Sequence, residues 1–187
     1  NGRDARFNPN DYSIYSYARL LELWKQGNSF AWHLFLEAKL VYSSDDVDYL
    51  RDIGKPNTYS DGYTDCRKFY EIFLSAKKSI KESIFTEIFD LASVFLAIRN
   101  FATCYSLHVK IKPNFSRNSA LHLEKYSISI NSTVYGILER ARLLCTRGAG
   151  EYLTLVEISM AKAALGEVDS WMSEIINTIE CRNNERI

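Results

Sequence analysis

IFTEIFDLASVFLAIRNFATCYSL, residues 84–107, is the stretch whose reading decides the fold. Its apolar side chains recur at helical steps: Ile88, Leu91, Phe95, Ile98 and Ala102 stack along one face of an α-helix. Lys112, Pro113 and Asn114 end it, because proline has no N–H for the helical ladder. A helix this apolar belongs inside an assembly of helices. No apolar run approaches about 18 residues free of charge, so no membrane span is expected.

The pattern continues on both sides. Upstream, Cys66, Phe69, Tyr70 and Phe73 lead a helix running to about Lys81. Downstream, Ser116 is expected to N-cap a shorter helix reaching Tyr126. Ser132 is expected to cap another, with Val134, Ile137, Leu138, Ala141 and Cys145 as its stripe and Gly148 as its stop. Thr154 and Glu157 have the spacing of a capping box. Val168, Trp171, Met172, Ile175 and Ile179 share one face of a last helix. Helices of this length joined by short loops predict an all-α fold, an antiparallel bundle of four to five helices occupying residues 63–187.

Residues 1–53 read as a small N-terminal helical subregion. Asn1 to Asn10 form an extended lead-in. Tyr17, Leu20, Leu21 and Trp24 mark a first helix stopped by Gly27, and Ala31, Leu34, Phe35 and Ala38 mark a second. Leu40, Val41 and Tyr42 are expected to form a brief strand, and Ser44 to cap a helical turn through Asp52. Residues 54–62, rich in Gly, Pro, Asn, Ser and Asp, read as the linker between the two regions.

With 47% hydrophobic and 13% aromatic residues, the chain has material for a sizeable core. Formal net charge is zero, but its distribution is uneven: residues 99–147 hold eight Lys and Arg against Glu124 and Glu139. Such a basic middle can attract an anion such as a nucleotide or RNA, or can be a solvated face beside the acidic C-terminal region. Arg99, Asn100, Arg140 and Arg142 are the candidate anion- or partner-binding residues within it. Cys66, Cys104, Cys145 and Cys181 are dispersed, with no Cys-x-x-Cys and no Cys/His cluster. Neither a metal site nor a disulfide framework is expected; reduced, partly buried thiols of a cytoplasmic protein are. No cofactor motif is present, neither a P-loop nor Gly-x-Gly-x-x-Gly, and the hydrolase signatures Gly-x-Ser-x-Gly and His-Glu-x-x-His are missing.

Two short patterns carry chemistry. Arg99, inside the apolar run, must be paired or bind an anion if it is buried, and Glu87, Asp90 and Glu139 are its expected partners. Arg117 and His122 have an Arg-x4-His spacing; on a helix they lie about 140° apart and border one cleft only at its edges. Histidine can move a proton at a ribose 2′-hydroxyl, arginine can hold the scissile phosphate, and Asn118 can orient the pair. This hexapeptide resembles the Arg-x4-6-His signature of HEPN-domain ribonucleases, helical bundles that pair across a shared cleft. The resemblance implies a homodimer and metal-independent RNA cleavage by Arg117 and His122, with Asn118 assisting. A surface helix with both side chains solvated is the alternative.

Gly27 followed by Phe30, Ala31, His33, Leu34 and Glu37, then Leu40 to Tyr42, is similar to the stretch after the catalytic core of bacterial polymerase-β-type nucleotidyltransferases. Nucleotidyl transfer needs a Gly-Ser turn for the triphosphate and carboxylates on a strand for two magnesium ions. No Gly-Ser pair occurs here, and Asp46-Val47-Asp48 reads as first-turn acids favoured by a helix dipole. The resemblance therefore implies the helical tail of such a protein without its catalytic centre. Because the chain opens on Asn1 and not Met, an upstream domain is expected. The function expected is a non-catalytic module binding a nucleotide, RNA or a partner protein in a nucleotidyltransferase- or HEPN-type bacterial system, such as toxin–antitoxin or phage defence. HEPN-like cleavage and a purely structural oligomerisation bundle are the alternatives.

Overall fold

The structure, a computed structural model, describes residues 13–184; the expected lead-in at Asn1 to Asn10 lies outside the described residues. It is helical, with no strand among the described residues. The chain divides into two compact units between Ser60 and Asp61.

The N-terminal unit contains α1 (Tyr17–Gln26), α2 (Ser29–Glu37) and the single turn α3 (Tyr49–Asp52). Ser16 Oγ accepts the Arg19 N–H at the start of α1, and Gly27 ends it at φ 62°, the left-handed stop expected of glycine. Asn28 caps α2. Leu23, Trp24 and Ala31 form a small buried core, with Phe30, Leu34, Leu50 and Ile53 packed against it. The strand expected at Leu40 to Tyr42 does not form: the segment is coil and its side chains are exposed. No described strand is available to pair its backbone, and a lone strand gains nothing from its β-propensity. The expected Ser44 cap moves to Asp48, whose carboxylate accepts the Arg51 N–H, because Asp46 takes a left-handed φ of 58° and turns the chain first. The stretch 54–62 is not uniform. The Trp24 indole donates to the Gly54 carbonyl at 2.8 Å, and the Asn57 N–H donates to the Trp24 carbonyl at 3.0 Å. Its first residues are thus strapped to α1, while Gly62 already belongs to the next helix.

The C-terminal unit is the bundle: α4 (Gly62–Glu82), α5 (Glu87–His108), α6 (Ser132–Arg147), α7 (Leu155–Ala163) and α8 (Leu165–Asn184). Helix α5 is its axis, packed by α4, α6, α7 and α8. Leu91, Phe95, Ile98 and Ala102 are buried as expected, and Ile88 is half-buried. The helix is apolar on almost every side, with all residues 101–107 buried. Its length and hydropathy match a membrane span, but 67% of that window is buried inside the bundle, as in a core helix.

Helices α4 and α5, α4 and α8, and α5 and α6 pack antiparallel. Early α4 meets late α5 where the Cys66 thiol lies 3.9 Å from the Phe101 carbonyl, and late α4 meets early α5 where Ser79 donates to Asp90 at 2.8 Å. Tyr63 reaches Glu180 and Lys77 reaches Asp169, which fixes α4 against α8 in opposite directions. Phe95 packs edge-on to Tyr135 at 5.6 Å, and the Cys145 thiol approaches the Ile88 carbonyl at 3.7 Å, which does the same for α5 and α6.

Two caps match their sequence signals: Gly148 closes α6 at φ 57°, and Thr154 with Glu157 forms a reciprocal capping box on α7. Asn131, not Ser132, caps α6. The α-helix expected over 116–126 is replaced by two 3-10 turns, Ser119–His122 and Glu124–Tyr126. Bonds outside a helical ladder account for the change. Ser119 Oγ donates to the Arg99 carbonyl, the Leu123 N–H goes to Ser127 Oγ and the Ile128 N–H goes to the Ala120 carbonyl, so no helical ladder is built.

Candidate functional site

The Arg-x4-His pair sits on this irregular connection, not on an α-helix. Arg117 is exposed and its guanidinium lies 2.8 Å from Glu139 of α6. The Arg117 carbonyl accepts the Tyr135 hydroxyl at 2.7 Å; burial pushes that phenol's pKa up, so it remains a donor. Asn118 is exposed, and its backbone N–H donates to Ser116 Oγ at 3.2 Å. His122 is exposed, and its imidazole makes no hydrogen bond or ion pair among the described residues. Arg117 is therefore paired with a carboxylate of α6 while its side chain stays largely exposed.

Arg99 is half-buried, and its guanidinium is held mainly by a carbonyl: Nη2 donates to Phe115 O at 2.6 Å and Nη1 to Asn100 Oδ1 at 3.1 Å. The acids expected to pair with it are engaged elsewhere, Glu87 with Lys162, Asp90 with Ser79 and Glu139 with Arg117. Arg99 thus ties α5 to the 112–118 connection, and Asn100 serves the same contact. Thr103 on the next turn adds a bond to the Asn114 carbonyl at 3.0 Å. Arg140 pairs with Glu157 of the α7 capping box. The backbone N–H of Thr154, the Arg140 guanidinium and the Thr154 hydroxyl together hold Glu157 at a pKa of about 2. Arg142 is half-buried one turn before Cys145. Three of the basic groups between 99 and 147, Arg99, Arg117 and Arg140, therefore bond to groups of the chain itself.

Cys66 and Cys104 are buried and Cys145 and Cys181 exposed, all four as free thiols. No group of three His, Cys, Asp or Glu is placed to hold a metal ion among the described residues. His33 pairs with Glu37 one turn on at 3.2 Å, a packing and pairing role.

Each unit carries a concave surface among its described residues. In the N-terminal unit a groove of about 1110 Å³ is lined by Tyr15, Tyr17, Phe30, Tyr42 and Tyr49. Most of those rings already have partners: Tyr17 lies 4.2 Å from Tyr49, and Tyr15 lies 5.2 Å from Phe30. They staple the short helices together. In the bundle, a cleft of about 450 Å³ opens between α4 and α5, lined by Glu71, Ile72, Ser75 and Ser79 on one side and Phe89, Asp90 and Ser93 on the other. Ile84, Phe85 and Phe89, at the α4–α5 turn and the start of α5, are 73%, 94% and 64% exposed, and Phe89 also lines the cleft. Neither phenyl ring has a ring partner among the described residues.

Asp90 lies at the floor of this cleft and is only 4% exposed. Its position in the first turns of α5 suits a carboxylate through the helix dipole. Ser79 donates to Oδ2 at 2.8 Å, while Oδ1 accepts no hydrogen bond among the described residues. Lys68 lines the far end of the cleft, eleven residues before Ser79 and so about 16 Å along α4. In the sequence Asp90 reads only as a partner for Arg99. The signals for its actual setting are an acid embedded in an apolar helix and two phenylalanines beside a helix–helix turn.

No family model, curated protein or solved structure matches this chain.

Proposed function

We propose that the chain is a non-catalytic helical module that binds a protein partner through the α4–α5 hairpin, within the nucleotidyltransferase- or HEPN-type system its sequence resembles. The observation that carries this reading is the exposure of Ile84, Phe85 and Phe89 close together in the chain at the α4–α5 turn, with Phe89 also lining an open cleft. Large apolar side chains left in water without ring partners, contiguous with a concavity, mark an interaction surface. Binding RNA or a nucleotide finds less support, because Arg99, Arg117 and Arg140 are occupied by groups of the chain itself. The ribonuclease alternative is weakened by the same Arg117–Glu139 pair.

The test is site-specific photo-crosslinking in cells that make the natural protein, with a photoreactive phenylalanine at Phe85 or Phe89 and at exposed Glu174 of α8 as control. Discrete protein adducts at the two phenylalanines and none at position 174 are expected. Adducts of twice the chain mass would identify a second copy as the partner. Purified protein should leave RNA intact between pH 6 and 8, with or without EDTA. Cleavage that His122→Ala abolishes, or no adduct at either phenylalanine, refutes the reading.

A further inference from the structure

The α4–α5 cleft has a chemical identity beyond an apolar rim, and it rests on the docking reading just given. A carboxylate has about four lone-pair positions, and Asp90 uses one side of them on a neutral hydroxyl. Oδ1 is not among the buried polar atoms that lack a partner, so solvent reaches it through the cleft, and a group that covers it must replace that water with a donor. Among the described residues no cation pairs with Asp90. The hydroxyls of the cleft do not fill that role: Ser93 donates to the Phe89 carbonyl at 3.0 Å, and Ser79 is spent on Oδ2. What is left is an acceptor oxygen at the base of a cleft whose walls include Ile72 and Phe89, with Glu71 at its exposed edge.

We infer that this cleft receives a lysine or arginine side chain of the protein partner, its charged head on Asp90 Oδ1 and its alkyl stem against Ile72 and Phe89. The charge complement selects this occupant. A neutral or acidic side chain would leave the carboxylate unpaired in a drier site, whereas a cationic head reached through an apolar stem satisfies both the floor and the walls. The aromatic face of Phe89 adds attraction for the same head. Apolar residues flanking the basic one would cover Ile84 and Phe85.

The experiment is a titration of the whole ¹⁵N-labelled 187-residue chain with Nα-acetyl-lysine methylamide and with its arginine and norleucine counterparts, followed by amide shifts. Saturable shifts at Ser79, Asp90 and Ser93 are expected with the two cationic probes. Norleucine amide, which has the stem without the charge, should bind about tenfold more weakly or not at all, the scale of one charge-assisted hydrogen bond. Asp90→Asn should lose the cationic preference, its own spectrum showing whether it folds. Ser93→Lys keeps Asp90 and sets a tethered ammonium one turn away, so it should abolish probe binding in a folded protein. No saturable shift with either cation, equal binding of norleucine amide, or unaltered titration of Ser93→Lys overturns the inference. Should crosslinks form at Phe89 while the titrations show no charge preference, the partner docks by apolar contact alone; the inference then falls and the docking reading stands.

Discussion

Replacing Gly27 by alanine tests how the N-terminal unit is held together. Gly27 sits at φ 62°, where an L-residue pays roughly 1–2 kcal/mol. A Cβ there would also meet backbone, 2.5 Å from Thr58 O and 2.6 Å from Asn57 O, a distance real Cβ atoms do not tolerate. The 57–58 segment would have to move. It is fastened by Asn57 N–H to Trp24 O at 3.0 Å, Asn57 Nδ2 to Lys25 O at 2.6 Å and the Trp32 indole to Asn57 O at 3.0 Å. At about 1 kcal/mol for each bond loosened, the total comes to about 3–5 kcal/mol. Gly54 is the control: its φ is 71°, but a Cβ added there would meet nothing within 4 Å, so Gly54→Ala should cost only the backbone term of about 1–2 kcal/mol. Hydrogen exchange read peptide by peptide over α1 and α2 separates the two. Gly27→Ala should speed exchange there by two orders of magnitude or so beyond Gly54→Ala, about 2–3 kcal/mol of extra destabilisation. Equal effects of the two substitutions would refute the strap as the element that holds α1 and α2.

Two further outcomes follow from paired carboxylates. Glu157, held at a pKa of about 2 against an ordinary 4.5, contributes stability that is full above its unfolded value and fades as pH falls from about 4.5 toward 2. Denaturation of Glu157→Gln should therefore differ from the native protein most at pH 7 and converge with it near pH 2; a pH-independent difference would contradict the capping box and Arg140 as the cause. Burial would raise the Asp169 pKa, but hydrogen bonds from Lys77 and Tyr70 outweigh it and hold the group below the ordinary carboxylate value. Lys77→Met should move the Asp169 carboxyl titration, followed by carbon NMR, upward; an unmoved titration would mean that the 2.5 Å contact between α4 and α8 does not persist in solution.

What the sequence discloses depends on the range of the interaction. Gly27, Gly148 and the Thr154–Glu157 box act within a turn of where they stand, so local spacing is enough to place them. The 116–126 connection has a helical local pattern, but the bond from Ser119 to the Arg99 carbonyl, made across twenty residues, pulls it off a helical course. The strand at Leu40 to Tyr42 fails for the same reason in reverse, since a strand is a property of two segments. For the site, a stricter use of helix geometry goes further. Arg99 and Asp90 are nine residues apart, which on an α-helix is about 180° around the axis and about 13–14 Å along it. The two cannot meet as a buried salt bridge within α5. The two charges must serve opposite sides of the same helix: Arg99 reaches across to the Phe115 carbonyl on the connection, and Asp90 turns into the cleft with α4. One of those sides is closed by the chain itself. The other is floored by a carboxylate with one hydroxyl on it and bordered by the exposed Phe89, so it is the side on which a partner's basic side chain completes the packing that the bundle leaves open.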